Sequence, residues 1–290
     1  MPQYFKKFLS KFRKEYFGLA GINFDKEVEP FVGELKGLVL NAGSGLRPLK
    51  IDLAAILTDI DENAPVDFLS DLHYIPLRDE CVDSIITIAV LEHTQYPWVV
   101  ISELARILKP GGTMVFCVPF IQPEHAIPHD YYRYTIYGVK ALLSYAGLTV
   151  KTQTRLSRYH RAIGWILNEK WKRNTGLQSY AQSFIVNQIS RHQKDTELPP
   201  FSVYTGSYTI AVKPGEWKEN PVIHEKKELW FKEMLVDPVT KEPLRFMNQS
   251  YFENSRGQQY TKVNGKYDLR PKEGLSQDNQ RKWGEQQRTK

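Results

Sequence analysis

The sequence has few cysteines and no long apolar run, and both absences limit what the protein can be. Only Cys81 and Cys117 occur among 290 residues, each beside a predicted strand. We expect them to pack as small apolar groups rather than to form a bridge, which fits a reducing, cytoplasmic compartment. No segment approaches the roughly 20 apolar residues that cross a bilayer. The first residues also lack the continuous apolar core of a signal peptide, so we do not expect secretion.

The overall composition is that of a globular protein with a mild excess of positive charge. Hydrophobic residues make up 41% of the chain and charged residues 25%, which are ordinary values for a folded domain. The length allows one large domain and a smaller one. A net charge of +6 and a pI near 9.0 permit weak attraction to nucleic acid or anionic lipid without demonstrating it.

A strand that runs into closely spaced glycines is the feature around which the chain is organised. The apolar run from Leu38 changes to small residues at Ala42-Gly43-Ser44-Gly45, which predicts a buried parallel strand followed by a tight turn. Both glycines can take a positive φ and lack a Cβ, so a ligand can lie directly on the backbone. The third glycine of a dinucleotide fingerprint is missing because Pro48 takes its place, and a P-loop is absent too. Taken alone, this segment is also typical of a plain turn.

Four further apolar segments follow at the spacing of an α/β fold. Counting the strand before the glycines as the first, the second strand ends in Asp59 and the third in Asp71. An acid at the end of the second strand is placed to accept hydrogen bonds from ribose hydroxyls. Aspartate also ends strands simply because it favours turns. Five short strands with turns between them predict a mainly parallel sheet. The segments are 55–59, 66–72, 83–88 and 113–118, with a helix at about 97–108, a sixth strand at 148–154 and a late strand at 204–212.

The ordered set of motifs resembles class I S-adenosylmethionine-dependent methyltransferases of the type 11 group. Leu91-Glu92-His93 follows the fourth strand, and Leu-Lys-Pro-Gly-Gly at 108–112 precedes the fifth. The resemblance extends over about Leu38 to Gly147 and implies a Rossmann-like fold with S-adenosyl-L-methionine as cofactor. It implies that Gly43 and Gly45 bind the methionine part of the cofactor, that Asp59 binds its ribose, and that Asp71 and Leu72 bind its adenine. The implied cofactor-binding residues are Asn41, Gly43, Gly45, Asp59, Asp71, Leu72 and Ala89, with Glu92 and His93 near the mouth of the site.

Two features depart from that family pattern. Asn41 stands where the family usually has an acid, so hydrogen bonding can persist there but a charge cannot. Only eight residues separate Gly45 from Ala54, whereas a crossover between parallel strands usually has a dozen or more. We therefore expect the first crossover helix to be short or missing. Both departures keep open the alternative of a cofactor-binding scaffold that has lost catalysis.

The segment after the fifth strand carries most candidates for handling a proton of the methyl acceptor. Prolines preclude a regular helix from Pro119 to Tyr134, so we expect a loop at the carboxyl end of a central strand. Asp130 and Arg133 can simply pair to hold this loop, and Thr135 is predicted to cap a helix that Gly147 ends. Methyl transfer needs an aligned acceptor and, for a hydroxyl or amine, a base. The candidate bases are His125, His129, Glu124 and His93.

The predicted function is methyl transfer from S-adenosylmethionine to an acceptor that the sequence does not identify. We expect an O or N atom of a small molecule, glycan or lipid-linked substrate. Besides the scaffold, a methyltransferase acting on RNA or a translation factor remains an alternative. By resemblance, the absence of an Asn/Asp-Pro-Pro-Tyr/Phe segment after the fourth strand disfavours amino methylation of DNA bases. No metal site is predicted.

Taken as a whole, the chain is predicted to have four parts. Residues 1–23 predict a basic amphipathic helix that either packs on the sheet or associates weakly with an anionic membrane surface or RNA. Residues 24–214 form the predicted methyltransferase domain, with a helical insertion at about 158–193. Residues 227–271 resemble a small α+β Trm112-like domain, which we expect to contact the methyltransferase domain. Residues 272–290 lack apolar periodicity and predict a disordered tail.

Two local patterns characterise the Trm112-like segment. Asp237-Pro238-Val239-Thr240 stands where zinc-binding relatives carry Cys-Pro-x-Cys. Because both thiolates are missing, we expect no structural zinc. Asn264-Gly265 predicts a hairpin turn near the end of the segment.

Overall fold

The structure is a computed structural model, and it describes residues 31–46, 48–125, 129–158, 204–218, 233–248 and 250–271. The predicted amino-terminal helix, nearly all of the predicted insertion and the predicted tail lie outside these ranges. Within them, no helix has the length and apolarity to span a membrane. Cys81 and Cys117 are both buried thiols, as expected.

Nine strands form one mixed, mostly parallel sheet. Seven of them are β1 (Val39–Ala42), β2 (Ala55–Asp59), β3 (Phe68–Leu69), β4 (Val82–Ile88), β5 (Leu108–Pro119), β6 (Thr149–Arg158) and β7 (Tyr204–Val212). A separate small sheet contains β8 (Arg245–Met247), β9 (Tyr251–Glu253) and β10 (Gln259–Tyr260), and β11 (Lys262–Val263) and β12 (Lys266–Asp268) complete the large one. The large sheet has the order β11-β12-β3-β2-β1-β4-β5-β7-β6. Neighbours from β12 to β5 are parallel, whereas β7 is antiparallel to β5 and β6 and β11 is antiparallel to β12.

The centre of this sheet is buried on both faces, and apolar side chains of its strands belong to two hydrophobic clusters. Leu40 and Ala42 belong to one hydrophobic cluster and Val39 to another. Leu40 pairs with Ile56 on one side and with Ile85 on the other. Strand β1 therefore lies between β2 and β4, and the carboxyl ends of all three strands meet at one edge of the sheet.

The helices begin and end where the sequence predicts. Helix α1 (Pro97–Ile107) has proline in its first turn, and its buried face contributes Leu104 to the larger cluster. Helix α2 (Ile136–Tyr145) is capped by Thr135, whose side chain accepts a hydrogen bond from the Gly138 N–H at 3.0 Å. Gly147 follows with φ at 73°, a conformation that costs a glycine little.

Three strands differ clearly in length from the prediction, and one of them, β6, continues to Arg158 instead of ending at residue 154. Strand β3 ends early because Asp71 caps a 3₁₀ helix, Leu72–Tyr74, by accepting a hydrogen bond from the His73 N–H. Strand β5 begins at Leu108, since the Lys-Pro-Gly-Gly segment is an irregularity within the β4 and β5 pairing rather than a turn before it. Gly111 permits this path with φ at 69°, and a Cβ there would lie 2.3 Å from the backbone N of Trp217.

The carboxyl-terminal segment contributes both to the large sheet and to a sheet of its own. Strands β8, β9 and β10 form a three-stranded antiparallel sheet. Asn264 and Gly265 have φ angles of 49° and 80°, which confirms the predicted hairpin turn between β11 and β12. Tyr267 in β12 pairs in parallel with Phe68 in β3, so the segment extends the main sheet beyond β3.

A buried carboxylate organises this segment. Asp237, only 1% exposed, accepts hydrogen bonds from the N–H groups of Val239 and Thr240 at 2.9 and 2.7 Å. It also accepts from Asn254 Nδ2 at 2.7 Å and from Tyr260 Oη at 2.8 Å. Burial raises the pKa of Asp237, but these hydrogen bonds outweigh burial and leave the pKa lowered. The carboxylate thus joins a turn to the small sheet.

We predict that Asp237→Ala destabilises the protein by about 2 to 4 kcal/mol, because it leaves the buried polar atoms of Asn254 and Tyr260 without their partner. Chemical unfolding at pH 7 measures the loss. Asp79→Ala is the control, since Asp79 is 73% exposed in its ion pair and such pairs contribute about 0 to 1 kcal/mol.

The difference between wild type and Asp237→Ala also depends on pH. A folded-state pKa below the unfolded value of about 4 means that the ionised carboxylate stabilises the fold above that pH and loses this effect as the pH falls further. The destabilisation should therefore shrink below about pH 4. Equal stability of the two proteins at pH 7 would contradict this account of Asp237.

Candidate active site

The turn after β1 is fixed to the end of β2 by hydrogen bonds. The N–H groups of Gly43 and Ser44 donate to the carbonyl oxygen of Thr58 at 2.9 and 3.1 Å. The N–H of Gly45 donates to the Asp59 carboxylate at 2.7 Å. Among the described residues between β1 and β2 there is no helix, as the short connection predicts, so these bonds replace a crossover helix in holding the turn.

The two glycines of this turn have different surroundings. Gly43 has φ at 71°, and a Cβ there would lie 2.4 Å from Cγ2 of Val90. Gly45 has φ at 66°, but a Cβ there would meet no atom within 4 Å. Ser44 has a buried hydroxyl that makes no hydrogen bond within the described structure. The turn therefore packs on Val90 at Gly43 and offers an open backbone surface with polar groups at Gly45.

The other residues predicted to bind cofactor surround the same edge of the sheet. Asp59 ends β2, where it also accepts a hydrogen bond from the Asp61 N–H at 2.9 Å. Asp71 follows β3, the neighbour of β2, and Leu72 is buried beside it. Asn41, 6% exposed, lies on β1.

Asp71 is held by the histidine that follows it. His73 donates to Asp71 Oδ1 from its backbone N–H and from Nδ1, at 2.9 and 2.6 Å. Burial raises the pKa of Asp71, but the hydrogen bonds and charge of His73 outweigh burial and lower it. The carboxylate is therefore kept ionised and fixed in direction at the end of β3.

Ala89 marks the end of β4 with an unusual backbone conformation. Its φ is 54°, in the left-handed region that costs a residue with a Cβ about 1 to 2 kcal/mol. The N–H of Ala89 donates to the carbonyl oxygen of Cys117 at 3.0 Å, which ties this conformation to β5. The bend directs the chain into Val90, which packs on Gly43, and then into the 3₁₀ helix Leu91–His93.

Glu92 is the most unusual residue at this edge. Its side chain is fully buried, and neither carboxylate oxygen has a hydrogen-bond partner within the described structure. The nearest cationic candidates are His125 Nε2 at 3.7 Å and His93 Nε2 at 3.9 Å from Oε1. The two imidazole rings meet edge to face, with their centroids 4.9 Å apart. We call Glu92, His93 and His125 the acid-histidine cluster.

The loop after β5 is attached to the backbone of this cluster. The N–H groups of Tyr131 and Tyr132 both donate to the carbonyl oxygen of Glu92, at 2.7 and 3.3 Å. Arg133 and Asp130 form a two-point ion pair, which confirms the predicted pairing. The hydrogen bonds of Arg133 lower the pKa of Asp130 although burial raises it. Asp130 also accepts a hydrogen bond from the His125 N–H at 2.8 Å, so the ion pair positions the loop that carries His125.

The structure separates the four candidate bases into two groups. His93 and His125 lie together beside Glu92, whereas Glu124 and His129 lie outside this cluster. Of the four side chains, only His93 is not exposed. The nearby Glu92 carboxylate raises the pKa of His125, while burial lowers it to a smaller extent. The family resemblance implies only that Glu92 lies near the mouth of the site. Its adjacency to His93 was a signal, but the approach of His125 depends on the folded loop.

Comparisons with known proteins give one family match and several distant structural similarities. Residues 42–116 match the family described as methyltransferase domain, and no curated protein matches the sequence. Among solved structures, a SAM-dependent methyltransferase from Archaeoglobus fulgidus is 16% identical, with 73% of this chain and 100% of that chain covered and a TM-score of 0.46. A chain from the complex of the Haloferax volcanii Trm112 methyltransferase activator and a methyltransferase is 18% identical, with coverages of 72% and 97% and a TM-score of 0.44. Phosphoethanolamine N-methyltransferase 2 of Haemonchus contortus is 14% identical, with coverages of 67% and 53% and a TM-score of 0.43.

The matched residues run from the end of β1 into β5 and include the turn, both strand-end aspartates and Glu92. They form a class I methyltransferase domain on an α/β sheet. The protein is accordingly an S-adenosylmethionine-dependent methyltransferase. The open surface at Gly45 and the unpaired hydroxyl of Ser44 fit S-adenosylmethionine as the cofactor.

We predict that Gly45→Ala weakens cofactor binding at least tenfold, because the new methyl group enters the open surface where the cofactor would lie. Gly147→Ala is the matched control, since Gly147 has φ at 73° and likewise no atom within 4 Å of a Cβ. Both variants should lose about 1 to 2 kcal/mol of stability from backbone strain. Calorimetric titration with S-adenosylhomocysteine measures the difference. Wild-type affinity in Gly45→Ala would place the cofactor elsewhere.

Proposed function

We propose that the protein transfers the methyl group to an O or N atom of a small-molecule, glycan or lipid-linked acceptor that lies against the acid-histidine cluster. The observation that carries this proposal is the buried carboxylate of Glu92, which lies next to the cofactor-binding edge and makes no hydrogen bond within the described structure. A carboxylate without donors in a poorly solvated place strongly favours a partner that brings an N–H, an O–H or a positive charge. Hydroxyl and amino acceptors have these groups, whereas a carbon acceptor lacks them.

Each part of the edge has a separate task in this proposal. When bound, S-adenosylmethionine supplies a methyl group that its sulfonium already activates. Gly45, Asp59 and Asp71 bind and orient the cofactor, by backbone contact and by hydrogen bonds to ribose and adenine. The loop anchored by Asp130 and Arg133 excludes water and brings His125 to Glu92. The cluster orients the acceptor and promotes loss of its proton.

Val90 connects the glycine turn on the cofactor side of the site to the acid-histidine cluster. It packs on Gly43 at the cofactor side, and Glu92 follows it by two residues in the same turn. A displacement of this turn would therefore change the position of the cluster relative to the glycines. Because transfer requires the acceptor atom in line with the methyl group, such small displacements matter for rate.

We predict that Glu92→Gln lowers methyl transfer by about 10²-fold or more, the typical contribution of a group that handles a proton, while cofactor affinity stays within about twofold. The assay incubates the protein with methyl-labelled cofactor and cell lysate, then separates RNA, protein, lipid and small molecules. Glu34→Gln is the control, since Glu34 is 40% exposed in its surface pair with Lys151. Asp59→Ala should instead lose cofactor binding.

Three results of this assay would contradict the proposal. Cofactor binding without label in any fraction would favour the scaffold alternative. Label in RNA or in a translation factor would assign a different acceptor class. Wild-type transfer by Glu92→Gln would remove the cluster from the active site.

We also propose that residues 227–271 are a Trm112-like region that supports the methyltransferase domain in cis. Several contacts support this. The carbonyl oxygen of Met234 accepts from the Arg78 N–H at 2.9 Å, and the Val236 N–H donates to the carbonyl oxygen of Pro76 at 3.0 Å. The ammonium of Lys241 lies 2.7 Å from Glu103 Oε2 in helix α1. Burial lowers the pKa of this lysine, although the charge of Glu103 raises it. The pairing of β12 with β3 covers the strand that precedes Asp71, and the other contacts hold the segment that follows Asp71 and helix α1.

We predict that deletion of residues 229–271 lowers both the melting temperature and the cofactor affinity, because it exposes the edge at β3. Deletion of residues 272–290 is the control and should change neither. Lys241→Met tests the same contact in the intact chain, since it leaves Glu103 without one of its partners. If the protein lacking 229–271 melts and binds cofactor like wild type, this region has no supporting role.

A further inference from the structure

The acid-histidine cluster brings three hydrogen-bond acceptors together without a donor between them. His93 Nδ1 lies 2.6 Å from the carbonyl oxygen of His129, and His125 Nδ1 lies 3.1 Å from that of Pro123. A carbonyl oxygen cannot donate, so each Nδ1 must carry hydrogen and donate. In the neutral ring the remaining nitrogen, Nε2, then has a free lone pair, and in both rings Nε2 is the atom nearest Glu92.

This arrangement has two features of a metal site: the spacing of the three ligand atoms and the hydrogen bonds made by the other nitrogen of each imidazole ring. The three ligand atoms lie within 4.8 Å of one another, and ligands about 2.1 Å from a tetrahedral ion lie roughly 3.4 Å apart, so a contraction of at most about 1.4 Å forms the site. Metal-binding histidines almost always donate their other ring N–H to a carbonyl or carboxylate, which both rings here already do. The fully buried Glu92 carboxylate, which has no hydrogen-bond partner in the described structure, points independently to a bound cation.

We propose that Glu92, His93 and His125 bind one divalent first-row transition metal ion. Two imidazoles and one carboxylate suit Zn²⁺, Mn²⁺, Fe²⁺ or Co²⁺, whereas Mg²⁺ and Ca²⁺ prefer ligand sets made of oxygen alone. The ligands come from the turn after β4 and from the loop after β5. The sequence predicts no such site because His125 is distant from Glu92 along the chain.

Three protein ligands leave at least one coordination position for another oxygen or nitrogen. His125 is 42% exposed, so the cluster is accessible from solvent on the side of His125. The role of the ion rests on the proposed function. A bound acceptor hydroxyl would lose its proton to water more readily, its oxygen would form a bond to the methyl carbon, and the carbon-sulfur bond would break with both electrons left on sulfur.

Metal binding is tested directly on the full-length protein, stripped with chelator and titrated with Zn²⁺, Mn²⁺ or Co²⁺ alone. We expect one ion per chain by calorimetry and elemental analysis, and a visible absorption band with Co²⁺. Glu92→Gln, His93→Ala and His125→Ala should each weaken binding at least tenfold. His129→Ala is the matched control, because its ring lies outside the cluster and the variant keeps the carbonyl that His93 contacts.

The outcomes separate this inference from the proposed function. Failure of the chain to bind any of the three ions, or equal binding by wild type and Glu92→Gln, would overturn the metal site. Equal loss of affinity in His129→Ala would also overturn this ligand set. Methyl transfer and cofactor binding are measured on the same stripped protein, so a chain that transfers methyl groups at full rate with chelator present retains the proposed function and excludes a role for the ion.

Discussion

The hydrogen bond from the Gly45 N–H to the Asp59 carboxylate is the constraint on which the cofactor-binding edge depends. Parallel pairing of β1 with β2 and β4 places three strand ends together, but the connection after β1 is too short for a crossover helix to fix the turn. The carboxylate and the carbonyl of Thr58 hold the turn instead. An acid at the end of β2 therefore has a structural role before any ligand binds.

A second constraint is the cost of burying Glu92 without a partner. A buried acceptor that lacks its hydrogen bond costs about 1 to 3 kcal/mol, and more when it is charged. The loop that follows β5 holds Glu92 in this position. It donates two backbone hydrogen bonds to the Glu92 carbonyl and is itself held by the Asp130 and Arg133 pair. Such an unsatisfied group in an otherwise well-bonded site is typical of a position that acts on a ligand.

The sequence predicts the elements whose signals are local. Strands 55–59 and 204–212, the Thr135 cap and the Asn264-Gly265 turn all follow from periodicity, capping and turn chemistry, and the structure has them. Features that depend on distant partners escape such reasoning. The pairing of β12 with β3 and the approach of His125 to Glu92 join segments far apart in the chain, and the left-handed conformation of Ala89 results from its bond to β5 rather than from its side chain. The predicted cofactor residues lie at one edge, and only a bound ligand tests their roles.

The most direct test of the central claim is a crystal structure of the protein with S-adenosylhomocysteine. The account predicts that the ligand backbone lies on Gly45, that the ribose hydroxyls donate to Asp59, and that the adenine contacts Asp71 and Leu72, with the sulfur directed toward the acid-histidine cluster. A ligand bound away from this edge, or one whose sulfur points away from Glu92, would contradict it.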